Sequence, residues 1–318
     1  MIDGGLPDGT GVLLLGYGSP AGPDDLPGYL TEVLGGRAPS AEMVEEYHRR
    51  YDLIGWSPQL RIITSLRGKL ESRLARDGGA TPVFLGTKHW SPHAADAIPE
   101  AAAAGVRRLI AVPLSPYASP WIVAPYQRAI DAGRRKAKAP IDVELRTAWH
   151  TNPHWVAYWT KALHRELGRA PTGTVALLSA HSLPERHRKS GDPYPEILAE
   201  TVRRIVESAT PPYWDFTYQS AGNTTEPWLG PDITEKMVEW RDKGHPDQLV
   251  APIGFVFEHL EVLYDLDHVV RAFATEHGVR YRRVPMPNDD DEIVEALRSV
   301  VVEGGTPSRS PREPAGRG

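Results

Sequence analysis

Leu13-Leu14-Leu15-Gly16-Tyr17-Gly18-Ser19-Pro20 decides the reading of this chain, because Leu177-Leu178-Ser179-Ala180-His181-Ser182-Leu183-Pro184 repeats its plan. In each stretch a short apolar run ends in a turn of small and polar residues. Working outward, similar runs predict strands at Val12–Leu15, Val83–Leu85, Leu109–Val112, Val143–Arg146, Val175–Leu178, Trp214–Tyr218, Leu249–Ile253 and Tyr281–Val284. Between them lie segments with helical spacing. Ile63, Leu66, Leu70 and Leu74 share one face, as do Trp155, Val156, Trp159, Leu163 and Leu167, and Ile233, Met237 and Trp240 form a third stripe. Asp232 and Glu235 stand where a helix N-cap and its third residue would. These stripes read as core packing.

Strands alternating with helices predict an α/β fold with a parallel sheet covered on both faces. Four strands fall before residue 150 and four after, so the chain reads as two similar units in tandem with a cleft between them. The predicted boundaries are a loose arm over 1–10, one domain over 11–150, a second over 151–303, and a disordered tail over 304–318. The tail is Gly, Pro, Ser and Arg with almost nothing apolar to offset its ordering entropy.

With 36 Lys and Arg against 41 Asp and Glu, the net charge is 36 − 41 = −5. A protein that grips nucleic acid through phosphates usually carries a basic excess, so no nucleic-acid partner is expected. The chain has no cysteine, which excludes disulfides, thiolate zinc sites, cysteine nucleophiles and Cys-ligated iron–sulfur clusters. Neither a signal-peptide pattern nor an apolar run of roughly 18 residues is present, and the expectation is a cytoplasmic protein without a spanning segment. No apolar seam stands out, so a monomer is expected.

In open parallel sheets, ligands bind beyond the carboxyl ends of the strands. Polar residues gather there: Gly16-Tyr17-Gly18-Ser19-Pro20, Gly86-Thr87-Lys88-His89-Trp90, Ser179-Ala180-His181-Ser182, Gln219-Ser220-Ala221-Gly222-Asn223-Thr224 and Gly254-Phe255-Val256-Phe257-Glu258-His259-Leu260-Glu261. Gly16-x-Gly18 is not a dinucleotide fingerprint, since position 21 is Ala and Pro20 and Pro23 interrupt the helix expected after it. His89 with His93 and His150 with His154 have helical ligand spacing, but Pro92 and Pro153 make them turn residues. Glu261 and Asp265 are four apart, which on a helix stacks their carboxylates. An acidic first turn that complements a helix dipole explains Glu258 and Glu261 equally well, but not the imidazoles His259 and His268. Together His181, His259, Glu261 and Asp265 form a nitrogen and oxygen donor set suited to Fe²⁺, Zn²⁺ or Co²⁺ held weakly or in transit.

Gly16–Pro20, Ser179–Glu185 with Gly191-Asp192-Pro193-Tyr194-Pro195, Gln219–Thr224 with Pro227-Trp228-Leu229-Gly230-Pro231-Asp232, and Gly254–Asp265 resemble the ferrochelatase family in order and register over roughly residues 11–303. The resemblance implies two Rossmann-like domains, each with a four-stranded parallel sheet, and insertion of Fe²⁺ into a porphyrin held in the cleft. It is nearer to the soluble Gram-positive type, whose substrate is coproporphyrin III and whose product, coproheme, passes to a separate decarboxylase. In membrane-docked members the segment matching Asp24–Val33 is apolar, whereas here it is polar and rich in Pro. Glu258 stands where many members have Asp. The iron is a substrate, and no permanent cofactor or iron–sulfur cluster is implied. By the resemblance Tyr17 faces the metal, and Arg50, Ser57, Tyr126 and Ser220, with Lys88, contact the porphyrin propionates.

A neutral imidazole suits pyrrole-proton removal, which gives that role to His181. Glu261 is expected opposite His181 across the confined cleft, as a partner that accepts charge or a proton and has a raised pKa, with Asp265 continuing an acidic path. Residues 259 and 261 lie about 200° apart on a helix, so both reach the cleft only if the helix starts late or is overwound. The alternatives are a protoporphyrin IX ferrochelatase, a chelatase inserting Co²⁺ or Ni²⁺ into a more reduced tetrapyrrole, and a porphyrin or heme carrier without turnover.

Overall fold

The computed structural model describes residues 6–222 and 224–304. The strands are β1 (Thr10–Gly16), β2 (Val83–Thr87), β3 (Arg108–Pro113), β4 (Asp142–Leu145), β5 (Val175–His181), β6 (Trp214–Gln219), β7 (Asp247–Ala251) and β8 (Arg280–Arg283). They form two parallel four-stranded sheets of the same order, β2-β1-β3-β4 and β6-β5-β7-β8. The central strands β1 and β5 are almost wholly buried, as continuous apolar runs demand when helices cover both faces.

Every predicted strand is present, with its ends displaced by at most three residues. The largest extension is at β5, which runs on through Ser179 and Ala180 to His181 because β6 continues the ladder beside it, pairing Ala180 with Tyr218 and His181 with Gln219. His181 therefore does stand at a strand end, as the last residue of a central strand that runs three residues past its predicted end at Leu178. Thr10, assigned to the loose arm, is 4% exposed and opens β1, and Leu6 packs on the core. Residues 1–5 and 305–318 of the expected arm and tail lie outside the described residues.

The helices are α1 (Leu26–Val33), α2 (Ala41–Leu53), α3 (Gln59–Arg76), α4 (Ala94–Ala103), α5 (Pro120–Lys136), α6 (Pro153–Leu167), α7 (Glu185–Lys189), α8 (Tyr194–Ala209), α9 (Ile233–Asp242), α10 (Leu260–Leu263), α11 (Arg271–Glu276) and α12 (Asp291–Glu303). The Asp232–Glu235 capping box opens α9 as expected. Pro153 does not interrupt a turn at His154; it is the first residue of α6, where its missing N–H costs nothing. Leu26, Tyr29 and Leu30 turn inward against Tyr51, so the polar segment Asp24–Val33 is amphipathic.

One apolar core joins the halves, running from Val12 and Leu14 through Trp149, Trp155 and Trp159 to Val175 and Leu249. The last helix reaches back across the boundary. Ser65 Oγ donates to Asp289 Oδ2 at 2.5 Å beside its start, and Arg146 Nη1 donates to the carbonyls of Val300 and Val301 at 2.9 and 2.6 Å at its end. With the sheets so fixed, the carboxyl end of β1 lies near enough to the loop after β7 for the charge of Glu261 to act on Tyr17.

Candidate active site

Glycines let the strand ends close on the loops. A Cβ on Gly18, whose φ is +100°, would fall 1.5 Å from the carbonyl oxygen of His89, so the β1 turn can lie against the end of β2 only without a side chain. A Cβ on Gly254 would come within 2.7 Å of Ala180, one residue before His181. The loop after β7 is thereby drawn over the end of β5, and Glu261 reaches His181.

His181 Nε2 lies 3.2 Å from Glu261 Oε1, and its Nδ1 bonds the carbonyl of Ser182, so the ring is held from both sides. The side chains are 27% and 43% exposed, recessed yet open to solvent. Burial opposes charging the imidazole, but the charge and hydrogen bond of Glu261 outweigh it and raise His181 to about 9. Burial likewise pushes Glu261 up, yet the His181 imidazolium dominates and holds it well below the usual carboxylate range. Both shifts run against the expectation for this pair, because each group meets the other's charge and not merely an apolar wall.

The helix starts late. His259 is extended, at φ −156°, and serves as N-cap of α10, its Nδ1 accepting the amide of Glu261 at 3.1 Å. That bond fixes the tautomer with the proton on Nε2, and burial drives the ring down to about 4. Phe255 and Phe257 pack edge-on against it. His259 is a neutral cap whose Nδ1 is committed to the backbone.

Asp265 does not share an unbroken α-helical face with Glu261. After Tyr264 the chain winds as a π-helix over Asp265–Val270, an irregularity frequent at functional sites. Ser220, left-handed at φ +57° after β6, donates from Oγ to Asp265 Oδ2 at 2.5 Å. Burial, only partly offset by that bond, raises Asp265 to about 6. Consequently no group of three or more His, Asp or Glu forms a ready metal cage among the described residues. The ligand set expected from sequence reduces to the His181–Glu261 pair with Asp265 behind it.

The opposite wall is aromatic and cationic. Tyr17 is 44% exposed, tilts against His89 at 4.9 Å between centroids, and lies under Lys88 Nζ at 5.0 Å. Burial, then the field of Glu261, pushes its phenol well up. Lys88 is lowered by burial and by Arg128. Arg50 covers Tyr47 at 5.2 Å and Tyr264 at 5.0 Å, spanning both walls, while its Nε donates to Glu46 Oε1 at 2.8 Å. Ser57 is half-buried, its Oγ accepting the Gln59 amide at 3.3 Å. Tyr126 departs from the expected rim, since it is 5% exposed among Leu13, Leu15 and Ile98 and offers a ligand no more than an edge.

Three further residues shape the site. Gln219 accepts from Ser179 Oγ at 2.7 Å and donates to the Glu261 carbonyl at 3.2 Å, tying strand ends to the carboxylate loop. The Tyr194 hydroxyl donates to the His181 carbonyl at 3.1 Å. Tyr47 was legible only as the residue three before Arg50, on the same helix face.

A cleft between twin parallel sheets, with an ionic pair on one wall and aromatic and cationic groups on the other, defines a class of two-domain chelatases. Solved structures bear out the fold. The Bacillus subtilis chelatase SirB with Fe³⁺ superposes with TM-score 0.60 over 92% of this chain and 96% of its own, at 11% identity. The siroheme-biosynthesis enzyme CbiX does so with TM-score 0.56 over 91% and 98%, at 13% identity. The model of the ferrochelatase family matches residues 9–304. Coproporphyrin III ferrochelatase of Geobacillus thermodenitrificans is 37% identical over 92% of this chain and 95% of its own length. That of Listeria innocua is 35% identical over 93% and 98%, and a ferrochelatase of Herpetosiphon aurantiacus is 35% identical over 92% and 98%. This chain belongs to the ferrochelatase family: it is a lyase of heme biosynthesis whose substrates are iron and a porphyrin. Among the described residues no helix is long and apolar enough to cross a membrane.

Proposed function

We propose that this enzyme inserts Fe²⁺ into coproporphyrin III, and that His181 and Glu261 handle the pyrrole protons and the arriving metal. The observation that carries the reading is the 3.2 Å contact between His181 and Glu261, opposite Tyr17. Metallation releases two pyrrole protons, yet His181 at rest already holds one. Fe²⁺ reaching Glu261 would cancel the carboxylate charge that keeps His181 protonated, and the imidazole would then lose its proton at neutral pH. Asp265, raised to about 6, is suited to pass that proton on, with Ser220 holding it in place. The neutral imidazole next takes a pyrrole proton, and Glu261 takes the second as the iron moves into the ring. A buried carboxylate and imidazole that trade charge in this way act as general base without needing a metal cage.

The choice of coproporphyrin is supported by the names of the relatives and by the cations at the rim. Coproporphyrin carries four propionates and protoporphyrin two, and Arg50 and Lys88 are placed for charge-assisted bonds to such groups. The product, coproheme, would be consumed by a decarboxylase. The test is an anaerobic Fe²⁺ insertion assay with each porphyrin. A kcat/KM at least about tenfold higher for coproporphyrin III is expected, and equal values or a preference for protoporphyrin IX would overturn the substrate choice.

A further inference from the structure

Asp192, in Gly191-Asp192-Pro193-Tyr194-Pro195, lies outside the chemistry described so far, and the residue is buried at 8% exposure. An ordinary helix N-cap uses one side-chain oxygen. Asp192 uses both, on two different helices. Oδ1 accepts the amide of Tyr194, the first residue of α8 in the C-terminal half, at 3.0 Å. Oδ2 accepts Ser119 Oγ at 2.7 Å and the Trp121 amide at 3.4 Å, at the start of α5 in the N-terminal half. Ser119 is the N-cap of α5, yet its hydroxyl makes no bond to its own helix, being committed to Asp192. Each helix start presents unpaired N–H groups and the positive end of a dipole, so one carboxylate between them satisfies both.

The consequences reach His181. Tyr194, anchored by Asp192, is 3% exposed and donates from its hydroxyl to the His181 carbonyl at 3.1 Å. Beside it Tyr117 of the N-terminal half stands edge-on at 6.2 Å and donates to the Ile253 carbonyl at 2.5 Å. A continuous chain therefore runs from Ser119 through Asp192 and Tyr194 to the strand end that carries the imidazole.

We infer that Asp192 is a positioning residue: it fixes the two halves at a set separation by capping one helix of each, and through Tyr194 it holds His181 against Glu261. The inference rests on the role given to His181 above. Its test measures kcat and KM for coproporphyrin III in anaerobic Fe²⁺ insertion for Ser119→Ala, Tyr194→Phe, the double variant and His181→Ala, with melting curves to show that each is folded. Ser119→Ala and Tyr194→Phe each remove a single hydroxyl and so avoid the collapse that truncating Asp192 could bring. Each is expected to lower kcat about five- to tenfold with KM within about twofold, and the double variant should fall well short of the product of the two, because groups in one hydrogen-bond chain do not act independently. Wild-type kcat in both single variants, a loss carried entirely by KM, or losses that multiply in the double variant would each overturn the inference. Wild-type turnover by His181→Ala would instead overturn the reading of the site, whatever the other variants do.

Discussion

The two halves share strand order, parallel register and a turn of small residues after the central strand, yet the side chains set at the end of that strand differ. After β1 comes Tyr17, an aromatic face attended by His89 and Lys88. At the end of β5 stands His181, paired with Glu261 and backed by Asp265. On the function proposed above, one scaffold used twice divides the work: the N-terminal wall would offer flat and cationic surface to a planar polyanion, and the C-terminal wall would carry the groups that change charge. Arg50 joins the two, stacked on Tyr47 of one wall and Tyr264 of the other.

The division predicts that the walls fail in different ways. His181→Ala should lower kcat about a thousandfold while porphyrin binding, read by fluorescence quenching, stays within about twofold. Equal losses in binding and turnover would blur the distinction. Arg50→Ala should do the reverse, raising KM for coproporphyrin III about tenfold with kcat little changed. A kcat defect as large as that of His181→Ala would move Arg50 to the chemical wall.

Finer effects concern protons. Ser220→Ala removes the bond that opposes the upward push on Asp265, so the acidic limb of the kcat profile should move to higher pH from its position near 6. An unmoved limb would remove Asp265 from the proton path. The smallest effect is on stability. His181 has a raised folded pKa, so its contribution is fully present below its unfolded value of about 6.5 and is lost as pH rises through about 9. Glu261→Gln removes that contribution, and the gap in Tm between wild type and variant should be widest near pH 5 to 6, narrow from about pH 6.5 upward and be lost above about pH 9. A gap constant with pH would show that the pair adds nothing through charge.

Sequence alone located the fold because buried parallel strands are continuous apolar runs, and their punctuation by Gly and Pro is local. Strand ends were less legible: β5 was expected to stop at Leu178, and only the neighbouring β6 ladder keeps Ser179, Ala180 and His181 extended. The same limit applies to the site. That His181 and Glu261 belong to one cleft was legible in the motifs, but the direction of their pKa values depends on a 3.2 Å contact between residues 80 apart. The π-helix over Asp265–Val270 left no trace in the periodicity, so the acidic run read as a plain helical face. Tyr126 read as rim, and the packing of α5 on β1 buried it.

The claim on which the mechanism turns is that the C-terminal wall rests as an imidazolium held by a carboxylate. Histidine side-chain NMR of the porphyrin-free enzyme, titrated from pH 5 to 10, measures this directly. His181 should keep its proton beyond pH 8 and lose it near 9, and in Glu261→Gln its midpoint should fall by more than about one pH unit. A wild-type midpoint at or below the ordinary value of about 6.5 would contradict the account.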